Sequence, residues 1–85
     1  MELSEIREKI DEIDKKLLPL FLKRMELSME AARYKAEKGM QTLDENRERE
    51  ILKRVCEESG DMEKYARRFY TTLLELSREY QSGPR

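Results

Sequence analysis

The sequence predicts an all-α fold, a three-helix chain whose long N-terminal helix is paired with a second copy in a homodimer. Three observations carry this expectation. Apolar residues recur at three- and four-residue steps instead of alternating. Glycine and proline, which punctuate helices, stand at only five positions, Pro19, Gly39, Gly60, Gly83 and Pro84. The helical stretch before Gly39 is roughly 35 residues, about 50 Å at 1.5 Å per residue, whereas a compact chain of 85 residues is only about 30 Å across.

The first helix is expected over about residues 4–38. From Leu3 its stripe runs through Ile6, Ile10, Ile13, Leu17, Leu20, Phe21, Met25, Ala31 and Ala32. Ser4 is a plausible N-cap, and Gly39 suits the left-handed residue that follows a helix end. Pro19 conflicts with this locally, because an interior proline removes a hydrogen bond at a cost of ~3 kcal/mol. The stripe resumes beyond it, so the expectation is a kinked but continuous helix.

After a linker, Met40 to Leu43, a second helix is expected over 44–59, capped by Thr42 or Asp44. Thr42 and Glu45 have the spacing of a capping box. Ile51, Leu52, Val55 and Cys56 fall on one side, and Ser59-Gly60 ends it. A third helix, 62–81, begins at Asp61 as its cap and carries Met62, Tyr65, Ala66, Phe69, Leu73, Leu76 and Tyr80 ahead of a polar tail, 82–85. The whole of 1–85 reads as one domain. Helices two and three cannot cover the full stripe of the first, which is why a second copy is expected beside it.

Composition narrows the function. Lys and Arg number 18 against 19 Asp and Glu, a formal net charge of -1, which argues against nucleic acid or an anionic membrane as a partner. There is no histidine, so His-based acid/base catalysis, Ser-His-Asp triads and His-containing metal sites are excluded. The lone Cys56 cannot close an internal disulfide and reads as a small buried apolar residue in a reducing compartment. The longest apolar run, Leu17 to Leu22, contains Pro19 and falls far short of the roughly 20 residues that span a bilayer. The N-terminus has no signal-peptide layout. A cytoplasmic protein is expected.

The informative residues are polar ones on otherwise apolar faces. Arg24 and Lys35 are 11 positions apart, close to three turns, and share one face about 16 Å apart. Asp44 and Glu48 lie one turn apart, in line with Ile51, Leu52 and Val55. Ser77 and Gln81 continue the face of Ala66, Tyr70, Leu73 and Leu74. A bundle that joins these ends forms a pocket lined by Arg, Lys, Glu, Ser and Gln. Taken singly, each residue has a plain alternative: Arg24 snorkelling or paired with Glu48 or Glu50, Lys35 on the surface, Glu48 in an i,i+4 pair, Ser77 in helix packing, Gln81 at a frayed end.

The order of the residues is more specific than their type. Ile6 to Leu18 (IREKIDEIDKKLL), Lys23 to Leu27 (KRMEL), Tyr34-Lys35, Asp44 to Glu50 (DENRERE) and Leu76 to Gln81 (LSREYQ) together resemble the all-helical, AroQ-type chorismate mutases. The resemblance covers nearly the whole chain. No single fragment is specific; five in the correct order and spacing are. It implies an intertwined homodimer of three-helix protomers with two active sites, each taking one residue from the other protomer. The implied reaction is the Claisen rearrangement of chorismate to prephenate, in phenylalanine and tyrosine biosynthesis, with no cofactor and no metal.

Residue by residue, the resemblance implies that Arg7 crosses from the partner to a substrate carboxylate and that Arg24 holds a carboxylate within its own protomer. Lys35 matches the lysine on the ether oxygen that is cleaved, and Gln81 the second donor to that oxygen. Glu48 matches the glutamate that receives the ring hydroxyl, with Asp44, Arg47 and Ser77 positioning neighbours or the ring carboxylate. No position departs from the family pattern at these residues; the departures are Pro19 and the short linker, Gly39 to Leu43. The competing expectations are a helical dimerisation module without catalysis and a mutase-like domain that binds a metabolite as a regulator.

Overall fold

The computed structural model describes residues 1–83. It consists of α1 (Leu3–Glu37), α2 (Glu45–Glu58) and α3 (Glu63–Ser82), with a 3-10 turn, Gly60–Met62, between the last two. No strand occurs among the described residues. Of the tail expected at 82–85, Ser82 closes α3, whereas Pro84 and Arg85 lie outside the described residues.

The helix ends follow local chemistry, with two corrections. α1 begins at Leu3 with Glu2 in the cap position and no side-chain cap, so Ser4 lies inside the first turn instead of capping it. At the other end Gly39 takes φ +67°. Its N–H donates to the carbonyl of Ala36 at 3.2 Å and that of Met40 to Lys35 at 2.8 Å, the pair of bonds that closes a helix through a left-handed residue. α1 runs unbroken through Pro19. All of residues 1–20 are exposed, so water can take the carbonyl that the missing N–H leaves.

Asp44 caps α2, its carboxylate accepting the backbone N–H of Arg47 at 3.0 Å. Asp61, expected to cap the third helix, does not. Gly60 turns left-handed at φ +54° and leads straight into the 3-10 turn, which already contains Asp61; Met62 takes the cap position with no side-chain bond. The reversal between α2 and α3 is too short to leave room for a separate capping residue.

α3 is the central element, packed on α2 and on α1. The core joins Ile51 and Val55 of α2 to Leu74 of α3, with Leu52, Ala66 and Tyr70 against it; Cys56 is buried nearby in sequence. α1 contributes one buried residue, Met29. Its N-terminal half extends beyond the bundle with Ile6, Ile10, Ile13 and Leu17 exposed. Met62 of the 3-10 turn and Tyr65 and Phe69 of α3 are exposed too. The radius of gyration, 16.0 Å, and extents of 55 × 29 × 17 Å are those of a rod, against the ~12 Å radius of a compact chain this long. No helix among the described residues is long and apolar enough to cross a membrane.

Candidate active site

The C-terminal half of α1, the start of α2 and the end of α3 enclose a cavity of about 520 Å³. α1 supplies Arg24 and Lys35, one face of a helix three turns apart. The first turn of α2 supplies Asp44, Arg47 and Glu48, and the last turns of α3 supply Ser77, Arg78 and Gln81. Between them Leu27, Ala31, Ile51 and Leu74 give an apolar floor. The apolar stripes that build the core thus carry the polar residues into the cavity, because each stripe turns polar at the end nearest it.

Several of these groups are held by the chain itself. Arg24 Nη1 donates to Ser77 Oγ at 3.3 Å, and Ser77 Oγ donates to the carbonyl of Leu73 at 3.0 Å. Ser77 is only 5% exposed, so its hydroxyl is a fixed anchor for the guanidinium. Lys35 Nζ donates to the carbonyl of Thr42 at 3.0 Å; Thr42, weighed as a helix cap, instead holds the lysine through its backbone. Arg78 Nη1 donates to Glu48 Oε1 at 2.5 Å across the α2–α3 interface. Gln81 is half-buried in the cavity wall.

The plain alternatives resolve accordingly. Arg24 pairs with neither Glu48 nor Glu50. Glu48 is joined to a different helix and makes no i,i+4 ion pair of its own. Glu50 instead stands 3.8 Å from Arg47, both well exposed, a surface pair of little energetic weight. Asp44 and Arg47 are exposed at the cavity mouth.

Arg7 is the one sequence-predicted site residue that the single chain keeps away from the cavity. It is exposed on α1, 17 positions before Arg24, about 25 Å along the helix axis. Arg78 is the residue that sequence reasoning missed. It lies within the LSREYQ fragment, but an arginine among charged neighbours on a helix reads as solvated until packing places a carboxylate opposite it.

The cavity's charges have a chemical implication. Four cations, Arg24, Lys35, Arg47 and Arg78, face two carboxylates, Asp44 and Glu48. An excess of two positive charges over an apolar floor suits a small organic dianion. An arginine such as Arg24 suits a carboxylate, and the glutamate suits a hydroxyl donor. Among the described residues no group of three or more Cys, Asp or Glu is arranged to hold a metal ion.

Comparison with known proteins agrees with this chemistry. Residues 6–82 match the family model described as chorismate mutase type II. A chorismate mutase of Methanocaldococcus jannaschii is 34% identical over 83 residues, covering 94% of this chain and 84% of that protein. No solved structure matches the chain.

Proposed function

The chain belongs to the chorismate mutase type II family, an isomerase family, and from that premise we propose that the cavity described above binds chorismate and rearranges it to prephenate. The observation that carries this reading is the convergence of Arg24, Lys35, Glu48, Ser77 and Gln81, from three helices, on one cavity with an excess of positive charge.

The reaction is unimolecular: a C–O bond breaks as a C–C bond forms, and no proton is transferred and no covalent intermediate arises. A protein can accelerate it by confining the flexible enolpyruvyl ether in its reactive conformer and by stabilising the negative charge that grows on the ether oxygen. Arg24 holds one substrate carboxylate with its planar fork and permanent charge. Its hydrogen bond to buried Ser77 fixes the direction in which that fork points.

Lys35 and the side-chain amide of Gln81 donate to the ether oxygen. An ammonium has three donors, so Lys35 can keep the Thr42 carbonyl while it reaches the substrate. Because the charge on that oxygen is larger in the transition state than in the substrate, the lysine cation stabilises the former selectively. Glu48 receives the ring hydroxyl; a carboxylate has acceptor capacity for both that hydroxyl and Arg78. Asp44 and Arg47 border the mouth and position their neighbours.

The second substrate carboxylate is assigned to Arg7 of a partner protomer in an intertwined homodimer. Two features support it. Arg7 is about 25 Å along α1 from Arg24, too far for both to hold one small molecule. The apolar stripe from Ile6 to Leu17 is exposed in the single chain, as expected if a second α1 covers it.

The test is to follow the absorbance of chorismate on adding the purified chain and to identify the product. Conversion to prephenate is expected. A folded dimer that leaves chorismate unchanged would instead favour a dimerisation module or a metabolite-binding regulator.

A further inference from the structure

The proposed chemistry gives Glu48 a role but gives none to Arg78, the cation that meets it from α3 at the cavity wall. Glu48 is an awkward neighbour for a substrate with two carboxylates, since a like charge at close range repels. It is nevertheless built into the cavity on the first turn of α2, its side chain only 25% exposed. Arg78 meets it from α3 through a direct ion pair between Nη1 and Oε1, with its own side chain 41% exposed. The contact joins two helices, so it fixes the carboxylate in place as well as offsetting its charge. Two other acidic residues of α2 have partners of their own: Glu45 pairs with Arg49 and Glu50 with Arg47.

We propose that Arg78 is a positioning residue for the rearrangement. It holds Glu48 where the ring hydroxyl of the substrate arrives and cancels the charge that would otherwise repel the substrate's carboxylates. This rests on the family reading above, but it makes a separate claim, that Arg78 acts through Glu48 and does not itself hold a substrate carboxylate. Arg78 therefore sets the selectivity for a free ring hydroxyl, and its removal is felt only while Glu48 is charged.

The experiment is a double-mutant cycle on the full chain with Arg78→Gln, Glu48→Gln and the two combined, measured on chorismate and on its ring O-methyl ether, which has no hydroxyl proton to give. Wild-type conversion of chorismate is established first, so that failure of the family reading is seen separately from failure of this one. Glutamine keeps the helix propensity at both positions and the size of Glu48, and is shorter than Arg78; circular dichroism with denaturant melts verifies that each variant is folded. Arg78→Lys serves as a second variant, retaining the charge while losing the fork.

Arg78→Gln is expected to lower kcat/KM for chorismate about 10-fold, the scale of one charge-assisted hydrogen bond, chiefly through KM. Arg78→Lys is expected to recover part of that loss. The double variant is expected to be no worse than Glu48→Gln alone. The ratio of chorismate to methyl-ether turnover is expected to fall in Arg78→Gln. Losses that simply multiply in the double variant would mean that Arg78 holds the substrate directly and would overturn the proposal. So would an Arg78→Gln protein indistinguishable from wild type.

Discussion

Arg24 of α1 donates to the hydroxyl of Ser77 on α3 at 3.3 Å, and that hydroxyl donates in turn to the carbonyl of Leu73 at 3.0 Å. A 5% exposed serine thus ties the guanidinium to the backbone of the central helix. Ser77→Ala removes the acceptor without changing the packing by more than one atom. It is expected to lower kcat/KM about 10-fold, with stability reduced by about 1 kcal/mol, the net worth of an ordinary hydrogen bond. Steady-state kinetics beside urea melts separate the two effects.

Gly39 closes α1 two turns from the cavity floor and lies four residues after Lys35. Its φ of +67° is strained for any residue with a Cβ, although nothing stands within 4 Å of where that Cβ would be. The cost of Gly39→Ala is therefore conformational and not steric, about 1 kcal/mol. Gly39→Asn is expected to cost less, because asparagine tolerates the left-handed region. Chemical denaturation of the three proteins checks the order.

Much of this architecture was legible in the sequence where a local rule decided it. The stripe from Ile6 onward marked α1, Gly39 marked its end, and Asp44 was one of two residues offered as the cap of α2. The misses came where tertiary or loop geometry intervened. Ser4 and Asp61 have cap chemistry, but α1 is capped two residues earlier, at Glu2, and the Gly60 turn absorbs Asp61. Met62, Tyr65 and Phe69 share the apolar pattern of α3 yet are exposed, because a period of 3.6 marks apolar residues without saying which partner covers them. Arg24, Lys35, Glu48, Ser77 and Gln81 were legible as polar breaks in apolar stripes. Arg78 broke no stripe, and only the packing of α2 on α3 brings it to Glu48.

The exposed half of α1 separates a dimer from a monomer. Ile10 is 51% exposed in the single chain, so a charge there costs a monomer almost nothing. If a second α1 covers that stripe, Ile10→Glu buries an unpaired carboxylate at each contact and the dimer weakens sharply. The expected result is dissociation in analytical ultracentrifugation and a melting temperature that falls on dilution. An Ile10→Glu protein of unchanged assembly and stability would place the interface elsewhere.

Shared sites predict complementation. Arg7→Ala and Lys35→Ala homodimers are each expected to be nearly inactive. After subunit exchange, heterodimers carry one intact site of two, and random pairing gives roughly a quarter of wild-type activity. If the mixture stays inactive once exchange is verified by mass, Arg7 does not serve the partner's cavity.

The most direct test of the chemistry is the loss of the one cation assigned to the breaking bond. Lys35→Ala, verified as folded by circular dichroism, is compared with wild type for kcat/KM on chorismate. A fall of at least ~10²-fold, the scale of a lost electrostatic donor in a transition state, is expected, and Lys35→Arg should also be poor because its fork differs in shape and reach. A folded Lys35→Ala protein that converts chorismate at close to the wild-type rate would contradict the placement of catalysis in this cavity.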